Sequence, residues 1–237
     1  MAGGTGLVTL QPEAGQRITL VETLQPEAGH RATLVDTLQP ESGHRVTPLM
    51  DAITALSFVI EAKDPYTRGH SEEVSWWAAK IARQVGLSDV EIEDIKLAAV
   101  VHDIGKIHVP EDVLHKPSLL TAEEFEKIKS HAAWGAKILE TLKQKSIARI
   151  VRHHHERYDG QGYPDHLMGE EIPLGARIVA VAESFHCMVR GSSYKCARTV
   201  AEALAELRSC SGTQLDPRVV TALRDWLEIH GDATRVQ

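Results

Sequence analysis

The chain has 237 residues, 43% of them hydrophobic, enough to bury a globular core, and no apolar run long enough to span a membrane. Its net charge of -7 excludes a surface built to neutralise nucleic-acid phosphates, and 5% aromatic content argues against an all-β sandwich or barrel. The start lacks a basic segment followed by an apolar stretch. The three cysteines, Cys187, Cys196 and Cys210, show no disulfide framework or CxxC pair. Both features lead us to expect a cytoplasmic protein.

The first residues repeat with a fourteen-residue period. LQPEAG begins at Leu10 and again at Leu24, and LQPESG begins at Leu38. Each unit carries a proline and a glycine close together, which opposes a continuous helix. Residues 1–46 are therefore expected to form a low-complexity leader and residues 47–237 the functional domain. From Pro48 the apolar residues Leu49, Ile53, Leu56 and Ile60 recur at spacings of three and four, predicting a helix that stops before Asp64-Pro65. This stripe either packs on its own bundle or forms a homodimer interface. A second helix is expected over about 69–85, ending at Gly86. Ser88 with Glu91, and Thr121 with Glu124, have the spacing of capping boxes, predicting helices toward His102 and through about Leu142. Further helices are expected over about 147–155, 174–190, 199–208 and 217–229, with a Gly- and Pro-rich loop at 156–173. No credible strand pair is present, so the fold class is all-α, a helical bundle with one long loop.

Most of the 13 histidines lie between positions 70 and 186. His102-Asp103 closes an apolar helix, His131 sits inside another, and His153-His154-His155-Glu156 ends a third. His70 and Glu183 flank the set. Two adjacent polar groups at a buried helix end are costly unless paired. Imidazole and carboxylate groups on successive helices are how bundles build di-metal sites.

These residues resemble the HD-GYP family, metal-dependent cyclic di-GMP phosphodiesterases of the HD superfamily. The resemblance is carried by Asp64-Pro65-Tyr66-Thr67 with Gly69-His70-Ser71, His102-Asp103-Ile104-Gly105-Lys106, Lys116-Pro117 and His131. Further along it rests on His154-His155-Glu156, Asp159-Gly160-Gln161-Gly162-Tyr163-Pro164, Ile172-Pro173 and Gly212-Thr213-Gln214-Leu215-Asp216-Pro217. It covers about residues 48–230. It implies an enzyme with two divalent transition metals, held by His102, His131, His154 and His155, with Asp103 as bridge. Mixed imidazole and carboxylate donors suit iron or manganese, with zinc also compatible. His70 matches a ligand used where a third metal binds. Asp103 and Lys106 would be catalytic, and Lys106, Lys195, Tyr163 and Arg190 would contact substrate. The loop at 159–164 is credited in the family with contacts to partner proteins. His153 falls outside the pattern and is expected to be an exposed helix residue.

The sequence departs from the family at three points. Glu183 stands where an Asp metal ligand is usual, keeping the charge on a longer arm. Ser192 stands where a phosphate-contacting Arg is expected, with Lys195 basic at the second contact and Arg190 nearby. Tyr66 stands where members with three metals carry Glu, so two metals are expected. Weakened substrate grip leaves two other readings open: a binding or signalling module with little turnover, or an HD-type phosphohydrolase of another nucleotide or cyclic dinucleotide.

Overall fold

In the computed structural model the described residues are 48–63, 69–116, 118–191 and 197–231. They fall within one unit, Val46–Gln237. The elements in chain order are α1 (Pro48–Lys63), α2 (His70–Val85), α3 (Asp89–Val101), a 3-10 turn (Ile104–His108), α4 (Glu111–Leu114), α5 (Ala122–Thr141) and α6 (Lys145–His153). A second 3-10 turn (Gly169–Glu171) is followed by α7 (Leu174–Arg190), α8 (Val200–Ser209) and α9 (Pro217–His230). Among the described residues there is no strand beyond one isolated bridge, Ser211 with Leu215. No described helix is long and apolar enough to cross a membrane.

Local chemistry sets the boundaries. Ser88 and Thr121 cap α3 and α5 in reciprocal capping boxes with Glu91 and Glu124, and Thr199 with Glu202 does the same for α8. Each box satisfies backbone donors that a helix start leaves orphaned. α2 ends at Gly86, whose φ of 87° is the left-handed conformation that a side chain resists.

α2 packs against α3, α7 and α9, while α5 packs against α6 and the first 3-10 turn. The shared core includes Ile81, Leu139, Ile178, Phe185 and Leu223, all essentially inaccessible. Trp77 meets Phe185 edge-on at 4.7 Å between ring centroids. Truncating such a buried aromatic residue typically costs about 3–5 kcal/mol. Ile53 anchors α1 in this core, but Leu56 is exposed. The expected stripe is thus only partly buried, because α1 touches the bundle along a narrow face toward α3 and the 3-10 turn. The loop from Glu156 to Pro173 is irregular apart from its 3-10 turn, as its composition implied.

Candidate metal centre

Three histidines reach the centre of the bundle by one local device. His102 follows the last turn of α3, His131 lies within α5, and His154 follows α6. In each, Nδ1–H donates to the carbonyl three residues earlier: Ala99 at 2.7 Å, Ile128 at 2.7 Å and Val151 at 2.6 Å. A carbonyl can only accept, so the proton sits on Nδ1 and Nε2 keeps its lone pair. These Nε2 atoms converge. Those of His131 and His154 are 3.4 Å apart. Two lone pairs cannot hydrogen-bond each other, and the arrangement calls for a cation between them. His102 Nε2 is buried without any hydrogen-bond partner.

The donor atoms form two groups, each within 4.8 Å internally: His131, His154 and His155, and His70, His102 and Glu183. Asp103 stands between them. Its Oδ1 lies 3.6 Å from His131 Nε2 and its Oδ2 lies 3.4 Å from His102 Nε2. Each oxygen of one carboxylate therefore faces a different group, the placement a bridging ligand requires. Lys106 Nζ lies 2.6 Å from Asp103 Oδ2, one turn further along the chain.

Electrostatics keep these groups ready for a cation. Burial raises the cost of charge on Asp103, yet Lys106, His102 and His131 hold its carboxyl well below the usual range. Burial pushes His70 and His155 down to about 3, with neighbouring imidazoles adding to the effect. His131 and His154 are lowered for the same reason. Burial thus favours the neutral form of these four imidazoles, the form in which a histidine binds metal. Glu183 is raised, chiefly by burial, with the charge of Asp103 in the same direction.

The loop after His155 brings Tyr163 against this centre. The Tyr163 ring lies 4.9 Å from that of His155, and burial raises its hydroxyl pKa. Gly162 is obligatory by contact: a Cβ there would sit 2.2 Å from the Arg157 backbone nitrogen. Asp165 ties the loop to α6 through Arg152 at 2.7 Å and His153 at 2.9 Å. His153 is accordingly buried, correcting the expectation of an exposed residue; α6 turns it away from His154 toward Asp165. α6 itself ends at His153 rather than His155, which frees His154 and His155 to turn inward. Lys129, not singled out by sequence, lies 5.6 Å from the Tyr163 ring and 4.8 Å from Phe125. Arg190 is exposed at the end of α7. Tyr66, Ser192 and Lys195 lie outside the described residues.

An all-helical bundle that gathers imidazoles and a bridging-type carboxylate at its centre is a protein whose core can hold metal ions. Residues 54–219 match the HD domain family, and the chain belongs to it. The GYP-containing loop agrees with the HD-GYP resemblance read from the sequence. A cyclic di-GMP phosphodiesterase of Thermotoga maritima is 42% identical over 177 residues, covering 73% of this chain and 48% of that protein. The cyclic di-GMP phosphodiesterase response regulator RpfG of Xanthomonas campestris is 44% identical over 73% of this chain and 47% of its own length. A 3'3'-cGAMP-specific phosphodiesterase of Vibrio cholerae is 38% identical over 78% of this chain and 42% of its own length. The chain thus spans about half the length of these relatives or less. The fold is similar to the PgpH HD domain of L. monocytogenes solved with cyclic-di-AMP, with TM-score 0.55 and 18% identity over 78% of this chain and 99% of that one.

Proposed function

We propose that this chain is a metal-dependent phosphodiesterase that hydrolyses cyclic di-GMP to the linear dinucleotide pGpG, to GMP, or to both. The observation that carries the reading is Asp103, whose two oxygens face two separate groups of donors. His131, His154 and His155 would hold one divalent transition metal, and His70, His102 and Glu183 a second, with Asp103 between them. The unpartnered Nε2 of His102 and the opposed lone pairs of His131 and His154 fit such ions. Iron or manganese suits the donor set, and zinc is compatible with it. When bound, such ions would neutralise charge on the phosphodiester and lower the pKa of a bound water.

The chain's own residues do the rest. Lys106 carries a cation beside Asp103, placed to steady a non-bridging phosphate oxygen or to give a proton to the leaving oxygen. Tyr163 and the loop around it narrow the entrance and exclude water. Arg190 and Lys195 are assigned to the substrate's phosphates, and the loop at 159–164 to protein partners. Residues 1–46 are assigned as a leader, 47–237 as the catalytic domain, and the location as cytoplasmic. The exposed Leu56, Phe58 and Val59 of α1 are assigned to a homodimer contact, which light scattering tests: a monomer mass at all concentrations rejects it.

The 38% identity to a 3'3'-cGAMP-specific enzyme favours that dinucleotide as the second reading. Metal-loaded protein assayed against cyclic di-GMP, 3'3'-cGAMP and cyclic di-AMP, with products resolved, separates the readings. Turnover of cyclic di-GMP that chelation abolishes is expected. Binding without turnover, with metal fully loaded, would instead make the chain a signalling module.

A further inference from the structure

A second set of side chains borders the metal centre and takes no part in holding the ions. Phe125, Glu126 and Lys129 lie in the first half of α5, ahead of His131 on the same helix. Lys129 is one turn beyond the other two, and its Nζ sits 4.8 Å from the centroid of the Phe125 ring and 2.6 Å from Glu126 Oε1. The same ammonium lies 5.6 Å from the Tyr163 ring, which itself lies 4.9 Å from the ring of His155. Burial raises the Tyr163 hydroxyl pKa most, and the charges of Glu183, Asp103 and Glu126 add to it. Tyr163 therefore joins this trio to the metal centre.

The chemistry of the trio suits a purine base. Phe125 is 47% exposed, so an aromatic face stands open to a ligand. Proteins that read a single base stack it on such a ring and hydrogen-bond its Watson–Crick edge. Guanine presents there an acceptor, O6, followed by two donors, N1–H and the exocyclic amino group. An ionised glutamate only accepts and an ammonium only donates. Glu126 and Lys129, side by side, match that edge: Lys129 donates to O6, and Glu126 accepts from N1–H and the amino group. Lys129 takes up one lone pair of Glu126, and a carboxylate has about four. Adenine carries a lone pair at N1 and an amino group in place of O6, so it sets acceptor against acceptor and donor against donor.

Resting on the phosphodiesterase reading above, we propose that Glu126, with Lys129 and Phe125, forms the subsite that selects guanine in the cyclic dinucleotide. Glu126 is the specificity-determining residue, Lys129 holds it and contacts O6, and Phe125 supplies the stacking face. The subsite reads one base. Cyclic di-GMP and 3'3'-cGAMP each offer it a guanine, and cyclic di-AMP offers none.

The test compares kcat/KM of the manganese-loaded full chain for cyclic di-GMP and cyclic di-AMP, and the affinity of the metal-free chain for both by calorimetry. Wild type should prefer cyclic di-GMP. Glu126→Gln, whose amide can donate to adenine N1 and accept from its amino group, should lower that preference about 10-fold or more. Phe125→Ala should weaken both dinucleotides alike, by about 10-fold, because every base has a face to stack. Glu123→Gln, at an exposed position of the same helix, should change neither. An unchanged preference in Glu126→Gln, or an unchanged affinity in Phe125→Ala, overturns the subsite even where cyclic di-GMP is hydrolysed as expected, and so does a wild type that treats the two dinucleotides alike. A wild type that neither binds nor hydrolyses either of them overturns the phosphodiesterase reading itself.

Discussion

Gly105 is the point at which the first 3-10 turn crosses α5, and replacing it with alanine tests how tightly the centre depends on that crossing. A Cβ built on Gly105 would lie 1.9 Å from the His131 carbonyl oxygen and 2.5 Å from the Gly135 nitrogen. Both are backbone atoms and cannot swing aside. Restoring an ordinary contact of 3.4 Å requires the turn and α5 to part by about 1.5 Å. Asp103 and Lys106 travel with the turn, and His131 travels with α5, so the 3.6 Å approach of Asp103 to His131 is lost. Overpacking of this kind costs about 1–3 kcal/mol of stability. Misplacing reacting groups by about 1 Å costs about 100-fold in rate. Gly105→Ala should therefore lower kcat/KM for cyclic di-GMP about 100-fold and weaken metal retention. Gly86→Ala is the control. Gly86 has φ 87° and open space around it, so alanine there meets only the left-handed penalty of about 1–2 kcal/mol. It should lower the melting temperature comparably while sparing metal content and rate. A Gly105→Ala protein with full metal and wild-type turnover would refute the reasoning.

Three further outcomes are expected. Glu183→Ala should lose metal and activity while remaining folded, and Glu183→Asp should keep the metal; full metal content in the alanine variant, by atomic absorption, would remove Glu183 from the site. Ser192→Arg should lower KM more than it changes kcat, since a guanidinium can grip a phosphate with two parallel hydrogen bonds in ground and transition states alike; an unchanged KM places that residue away from the substrate. In metal-free protein, burial holds His70 and His155 at about 3 when folded, against 6.5 for an ordinary histidine. The unfolded chain therefore binds more protons on these groups between the two values, so stability should fall as pH drops from about 6.5 toward 3; urea melts that are flat across this window would contradict the burial argument.

Much of the fold was determined by local sequence. Ser88 with Glu91, Thr121 with Glu124, and Gly86 set helix ends because caps and left-handed glycines act within a few residues. The helical class and the loop at 156–173 follow equally from periodicity and composition. The HD pair and the run from His153 to Glu156 announced a polar centre, because adjacent ionisable groups have no place at a buried helix end without partners. Tertiary structure decided how the histidines divide. The end of α6 at His153, with α6 packed on α5, lets His154 and His155 turn to the centre while His153 faces Asp165. The packing of α2 against α7 brought His70 to Glu183 and His186, across more than a hundred residues of sequence. Sequence names the donor atoms, but only packing sets the few ångströms that decide which of them can share an ion.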